Sequence, residues 1–298
     1  MEKIEVKPFV IKEEDEIIKE MVDNFNHCPK AVALAKKLRL DNKRIIDEIA
    51  YLSEYADNVN YCANCPGIEN CAKDNPTFVT EIKIKDGQII RTYVPCETQL
   101  KRYKIQNAFL CSDFPFEVFD QTLRTIDKTD KRNIVIQRYR DFIKNMNNNW
   151  IYISGPSKSG KTFFTATLCV DAASRGKGLI SFVNCKQRFE DIGTEFFRDK
   201  EEFERDLLDI ASSKILVLDG LGEEIKTSIA RNEILLRILK IRDKNNLFTI
   251  ITSKTPLANL KSLYATNKTS EKEANQIAKI IAKRCGSDIN LGDLIIYR

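Results

Sequence analysis

The chain has 298 residues, 43% hydrophobic and 31% charged, with a net charge of +5. That length holds one large domain or two modest ones. No apolar run approaches the ~20 residues of a membrane span, and the start Met1-Glu2-Lys3-Ile4-Glu5 lacks a signal-peptide pattern, so a cytoplasmic protein without a membrane partner is expected. The small basic excess permits a polyanionic partner without requiring one.

The first sixty residues carry helical spacing. Residues 11–25 form an acidic segment with Ile17, Ile18, Met21 and Val22 on one face. Pro29 opens a second helix through Ala31, Val32, Leu34 and Leu38. Asp41 caps a third, whose apolar face is Ile45, Ile46, Ile49, Leu52 and Tyr55. These stripes predict a small helical core; a docking face for a partner is the other use of the same pattern.

Cys62, Cys65 and Cys71 follow at the spacing of metal ligands. Residues 77–84 and 89–96 are β-rich runs joined through Asp86-Gly87, a strong hairpin signal. A two-residue turn pairs Ile84 with Ile89 and Lys83 with Ile90, and the same register sets Cys96 opposite Thr77, close in the chain to Cys71. A structural zinc site of Cys62, Cys65, Cys71 and Cys96 is therefore expected, with His27 and Cys28 as rivals for the fourth place. An iron–sulfur cluster uses the same ligands, but nothing in the sequence suggests redox work. Cys28, Cys111, Cys169, Cys185 and Cys285 stand alone and read as small buried hydrophobes.

Residues 101–119 show no strong periodicity and read as a linker. Residues 130–146 read as a helix with Val135, Tyr139, Phe142 and Met146 on one face, ending in the turn Asn147-Asn148-Asn149. Strands are expected at 150–154, 178–184, 214–219 and 247–252. Helices are expected at 162–170, 189–208, 228–242, 256–264 and 273–284, the last stopped near Gly286. Residues 266–272 are polar and expected to be mobile, and two short β runs end the chain. Strands alternating with helices predict a parallel α/β sheet. The expected division is 1–103, helical and zinc-binding, and 104–298, an α/β nucleotide-binding domain.

Gly155-Pro156-Ser157-Lys158-Ser159-Gly160-Lys161-Thr162 fits the P-loop pattern G-x-x-x-x-G-K-[ST], with a strand before it and a helix after it. The glycines let backbone N–H groups turn inward around phosphate oxygens, and the helix N-terminus adds unpaired N–H groups and partial positive charge. All eight residues are candidates for nucleotide binding, Lys161 reaching the β- and γ-phosphates and the Thr162 hydroxyl holding Mg²⁺. Lys214-Ile215-Leu216-Val217-Leu218-Asp219 is an apolar run ending in an acid, the Walker B pattern. It places Asp219 at the C-terminal edge of a buried parallel strand, where open α/β sheets bind ligands. There Asp219 is expected to hold the Mg²⁺ shell opposite Thr162. ATP and Mg²⁺ are the implied ligands.

This order of P-loop, acid-terminated strand and a further strand ending in small polar residues resembles the AAA+ ATPases. The local detail is similar to their DnaC/IstB-like helicase-loader branch. Its carriers are Leu221-Gly222-Glu223-Glu224 after Asp219 and Arg231-Asn232-Glu233 early in the next helix. A helical segment and a cysteine module ending in Tyr93-Val94-Pro95-Cys96 resemble the primosomal loaders of the DnaI type. The resemblance spans nearly the whole chain. It implies an N-terminal domain that binds the hexameric replicative DNA helicase, and an ATP-bound domain that contacts single-stranded DNA and self-associates. The assembly places the helicase on DNA in replication initiation or restart. The resemblance further implies weak, assembly-stimulated ATP hydrolysis, with Glu224 as an acid, Ser253 as a sensor and Arg284 as an arginine finger on a neighbouring subunit's γ-phosphate.

The sequence departs from the family pattern at three places. Gly220 stands where loaders carry an acid directly after the Walker B Asp, leaving Glu223 or Glu224 to substitute. Thr252-Ser253-Lys254 stands where an Asn is frequent. The hairpin region has no histidine, which leaves the fourth zinc place to Cys96. Gly220 keeps open a second reading, a non-hydrolysing adaptor switched by ATP, and a transposition-helper ATPase of the same branch is a further alternative. A small-molecule P-loop kinase is least favoured, because no Arg cluster follows the P-loop.

Overall fold

The computed structural model describes residues 16–265 and 267–292. The expected helix start at 11–15 and the last β run fall outside them. The chain divides into two compact units between Lys101 and Arg102. No helix among the described residues is long and apolar enough to cross a membrane.

The first unit holds α1 (Glu16–His27), α2 (Pro29–Lys37), α3 (Asn42–Asp47), α4 (Ile49–Ala63), β1 (Phe78–Lys85) and β2 (Gln88–Pro95). The Asp41 carboxylate accepts from Arg44 N at 2.8 Å and caps α3. The third predicted helix is in fact two, parted at Glu48, whose backbone leaves the helical region. Val22, Phe25, Ala31, Ile49, Leu52 and Ala56 form the core, with Ile82 added from the hairpin. Ile84 pairs with Ile89 and Lys83 with Ile90. Asp86 and Gly87 turn through positive φ (51° and 79°), as a two-residue type I′ hairpin requires. Cys96 N donates to Thr77 O at 2.7 Å, so the register is the one read from sequence. Glu54 on α4 ties the hairpin down, accepting from the Thr80 hydroxyl at 2.7 Å, the Tyr93 hydroxyl at 3.1 Å and the Arg91 guanidinium.

α5 (Glu97–Gln106) carries the chain into the second unit. There the stretch read as a linker is structured. It supplies β3 (Phe109–Ser112), an edge strand paired with β5, and a 3₁₀ turn at Phe116–Asp120. The rings of Phe114 and Phe119 pack against Phe109 with centroids 5.5 and 5.4 Å away. Four residues are too few for a periodic signal, so tertiary packing decides this strand. The remaining elements are α6 (Asp130–Ile143), β4 (Ile151–Ser154), α7 (Lys161–Ser174), β5 (Ile180–Asn184), α8 (Cys185–Arg198), α9 (Lys200–Ser212), β6 (Ile215–Asp219), a π-helical segment Ile229–Leu235 running into α10 (Leu236–Lys244), β7 (Phe248–Ser253), α11 (Leu260–Tyr264), α12 (Glu271–Cys285) and β8 (Asp288–Asn290). The charged helix expected at 189–208 breaks at Asp199, whose carboxylate caps α9 by accepting from Glu201 N and Glu202 N, both at 3.0 Å. The polar stretch expected to be mobile holds a capping box. Asn267 Oδ1 accepts from Ser270 N at 2.9 Å and Ser270 Oγ accepts from Asn267 N at 3.0 Å, just ahead of α12.

The strands form one six-stranded sheet in the order β3-β5-β6-β7-β4-β8, every neighbour parallel. Side chains alternate between its faces. Ile151, Ile153, Phe182, Val217 and Ile250 pack with α6 and α7. Tyr152, Val183, Leu216, Leu218 and Ile251 pack with α8 to α12. A three-layer α/β/α arrangement results, and its C-terminal strand edge carries the P-loop.

Arg242 braces the opposite edge. It is fully buried, and burial pulls its pKa down to about 9. Its guanidinium donates to Thr249 Oγ1 at 2.8 Å, Ala211 O at 3.0 Å, Ser213 O at 2.7 Å and Phe248 O. One side chain therefore satisfies carbonyls from the α9–β6 connection and the start of β7. Arg242→Met keeps the stem volume but strands these acceptors. Since a bare buried acceptor costs roughly 1–3 kcal/mol, chemical denaturation of this unit should show a loss of about 2–3 kcal/mol. An unchanged midpoint would show that the guanidinium is dispensable.

Candidate functional site

The loop between β4 and α7 turns through three left-handed residues: Gly155 (φ 147°), Lys158 (φ 64°) and Gly160 (φ 78°). Such turns aim successive N–H groups into one concavity, and the first-turn amides of α7 have no intrahelical acceptor. Pro156, Ser157 and Lys158 form the exposed tip, while Gly155 and Ser159 are buried. Lys161 is 9% exposed and donates to Gly155 O at 2.8 Å, Pro156 O at 2.7 Å and Ser159 Oγ at 3.2 Å. From α6, the buried Arg132 reaches under the loop to Ser159 O at 3.5 Å and Asp127 O at 3.1 Å.

Asp219, at the end of β6, completes the arrangement. Thr162 Oγ1 donates to its Oδ2 at 2.8 Å and Thr252 Oγ1 to its Oδ1 at 2.7 Å. Burial pushes the Asp219 carboxyl above its usual range, against the pull of the two hydroxyls. Burial likewise pulls Lys161 below its usual range, opposed by Asp219 and Glu223. A bound anion beside Lys161 and a cation beside Asp219 would each favour the charged form. A hydroxyl and a carboxylate side by side are the hard oxygen donors that suit Mg²⁺, so Thr162 and Asp219 fit that ion.

These groups open into a cavity of 1120 Å³, lined by the loop from Ser157 to Phe163 and by Asp219, Gly220 and Glu223. Pro115, Asn184, Lys186, Thr252 and Lys254 line the rest. Its volume and its concentration of lysines around a P-loop suit a nucleoside triphosphate.

Gly155 and Pro156 are not among its lining residues, and three of the expected catalytic residues do not face it. Glu224 is buried, its carboxylate accepting from Gly222 N at 2.7 Å and from the Tyr264 hydroxyl, and Glu223 takes the cavity position instead. Ser253 points to the other face of the sheet, donating to Leu221 O at 2.6 Å. Thr252 is the residue that meets Asp219. The strand alternation carried that signal, because Thr252 shares parity with Ile250 on the α7 face. Arg284 lies at the far edge of the sheet, where it donates to Asn148 O at 3.0 Å and Asn246 Oδ1 at 2.6 Å and stacks over Trp150. Gly220 has φ 70°, a conformation that disfavours the acid usual at that position. Lys186, Asn184, Pro115 and Arg132 come from separate elements and had no motif to mark them.

The cysteine set does not close. Cys62, Cys65 and Cys96 line one cavity of 480 Å³ in the first unit, and Cys71 is not among its lining residues. Backbone amides of Lys73 and Thr77 hold the Cys71 thiol below its usual pKa. Cys96 Sγ accepts from Gln99 N at 3.4 Å, and Cys65 Sγ lies 3.7 Å from Thr98 Oγ1. His27 Nδ1 sits 2.6 Å from Asp23 O and Cys28 is buried in the helical core. Among the described residues no three His, Cys, Asp or Glu side chains converge on a metal position, so the expected zinc finds no support here.

A strand, a left-handed loop and a helix N-terminus facing a buried carboxylate on a parallel strand make this a P-loop nucleotide-binding protein. Residues 96–283 match the family described as IstB-like ATP binding protein, and the chain belongs to that family. It is 24% identical over 259 residues to the replicative helicase loader DnaI of Bacillus subtilis (strain 168), across 82% of this chain and 80% of that protein. A crystal structure of DnaI superposes with a TM-score of 0.52 at 21% identity, covering 63% of this chain and 96% of the other. The parallel sheet is thus that of the AAA+ P-loop fold.

Lys161→Ala removes a charged donor from the phosphate position without touching the core. A hydrogen bond to a charged group contributes about 1.5–3 kcal/mol, so ATP should bind about ten- to a hundredfold more weakly while circular dichroism stays unchanged. Equal affinity in wild type and variant, measured by fluorescent-nucleotide titration, would count against the P-loop assignment.

Proposed function

We propose that this protein is an ATP-dependent loader of the replicative DNA helicase, acting when replication starts or restarts. The observation that carries the proposal is the extent of the likeness to DnaI. It covers 82% of this chain and so reaches beyond the family match at 96–283 into the first unit. In this reading residues 1–103 engage the hexameric helicase, and residues 104–298 bind ATP, contact single-stranded DNA and associate with further copies.

The site supplies a mechanism. The backbone N–H groups of residues 157–160 and the Lys161 ammonium would hold the β- and γ-phosphates, and Thr162 and Asp219 would hold Mg²⁺, which when bound would supply positive charge against that developing on the phosphates. Thr252 keeps the Asp219 carboxylate oriented. Arg284 hangs from the turns before β4 and β7, at the edge of the sheet remote from its own P-loop. In this reading Arg284 acts on a neighbour's nucleotide, and hydrolysis depends on assembly. Gly220 favours a second reading, an adaptor switched by ATP binding alone.

Two experiments test this. The helicase of the same cell should co-purify with the full chain, more strongly with ATP; no association under either condition would overturn the loader reading. Arg284→Ala and Lys161→Ala proteins should each be inactive alone. An equal mixture should regain about a quarter of wild-type turnover, because a head-to-tail contact can join an intact P-loop to an intact arginine. No recovery on mixing would show that Arg284 does not act across a subunit contact.

A further inference from the structure

The tight turn after Asp219 returns a carboxylate to the position that Gly220 leaves vacant. Glu223 N donates to Gly220 O at 2.9 Å, which closes the turn. Its side chain then folds back along the turn. A Cβ built on Gly220 would lie 3.5 Å from Glu223 Oε1 and 3.6 Å from the carboxyl carbon. The carboxylate of residue 223 thus lies in contact with the place where a side chain at 220 would begin. Of the two carboxylates lining the cavity, Asp219 is committed to Thr162 and Thr252. Glu223 is held by Lys254, whose Nζ donates to Glu223 Oε2 at 3.0 Å. Lys254 stands just beyond the end of β7, on the strand that also presents Thr252 to Asp219.

We propose that Glu223 is the general base of ATP hydrolysis in this chain, and that Lys254 is a positioning residue that holds its carboxylate over the cavity. The inference rests on the ATP-hydrolysing reading of the same site. In the step itself the oxygen of a water molecule bonds to the γ-phosphorus. The bond from that phosphorus to the bridging oxygen breaks, and its electron pair stays on the β-phosphate of ADP. The water proton passes to the Glu223 carboxylate and then to bulk solvent, leaving ADP and inorganic phosphate. Gly220 is then no loss of function, since the acid has moved three positions along a turn that brings it back.

The test compares steady-state turnover of the full chain at high concentration, with single-stranded DNA present, and binding of a non-hydrolysable ATP analogue. Glu223→Gln is isosteric and sits on an exposed turn, so the fold should persist. Its turnover should fall about 10²–10⁴-fold, the usual contribution of a general base, with analogue affinity within about threefold of wild type. Lys254→Met should lower turnover by up to about a hundredfold through misplacement of the base, and Lys254→Arg should recover most of it. Glu223→Gln turning over within about threefold of wild type would overturn the proposal, as would Lys254→Arg no better than Lys254→Met. A wild type that binds the analogue yet never hydrolyses ATP would overturn it and leave the ATP-binding reading standing. A wild type that does not bind the analogue would overturn both.

Discussion

The candidate site depends on one buried carboxylate. Asp219 sits at the end of the central strand with its side chain out of water, a placement that costs several kcal/mol unless the charge is hydrogen-bonded. Two threonine hydroxyls meet that need, one from the helix after the P-loop and one from the adjacent strand. The same Thr252 hydroxyl accepts from Gly220 N at 2.9 Å, and Thr252 O accepts from Leu221 N at 2.8 Å. Satisfying the charge therefore fixes three things at once: the pitch of α7 against β6, the register of β7, and the direction in which the chain leaves Asp219. The turn that carries Glu223 and the buried Glu224 begins from that fixed direction.

The sheet supports this by being apolar on both faces and polar only at its edges. The five residues of β6 are all buried, and those of β7 likewise. With no water at the strand faces, polar groups collect where strands begin and end. At the C-terminal edge they are acids, hydroxyls and loop amides facing a cavity. At the N-terminal edge they are guanidiniums, Arg242 satisfied by carbonyls and Arg284 by Asn148 and Asn246. The two edges differ in chemistry: one suits polyphosphate and its cation, while at the other the guanidiniums are taken up by internal partners, Arg284 also lying 3.8 Å from the Asp243 carboxylate.

Much of this was legible in the chain, and the reasons are local. The P-loop and the run to Asp219 are continuous segments whose backbone and burial demands appear directly as glycines and aliphatics. The hairpin register followed from Asp86-Gly87, since a two-residue turn leaves one pairing. What was not legible depended on non-local geometry. β3 is too short for a pattern and exists because β5 offers it an edge. Glu223 and Glu224 are adjacent acids in one turn, and only the chain path shows that Tyr264 claims the second. Thr252 and Ser253 differ by one position, and period-two alternation, applied from Ile250, separates them. The cysteine spacing suggested a metal, but the thiols are distributed over hydrogen bonds with Lys73, Thr77 and Gln99 that spacing does not reveal.

The separation of the two edges bears on how such a protein would be controlled. A parallel strand is ~3.3 Å per residue, so even the four residues of β4 put more than 10 Å between the turn that anchors Arg284 and the loop that cradles phosphate. A side chain held at one edge by two hydrogen bonds and an aromatic face cannot reach the other edge of its own sheet. Under the proposed finger role, a nucleotide in the cavity would receive that charge from another copy, and chemistry in one subunit would report that a neighbour is in place. Glu223 and Lys254, by contrast, belong to the same subunit as the cavity they line. On the two proposals taken together, positioning of the water would fall to the chain's own turn and stabilisation of the transferring phosphate to the assembly, which is the logic of an ATPase that waits for its partners.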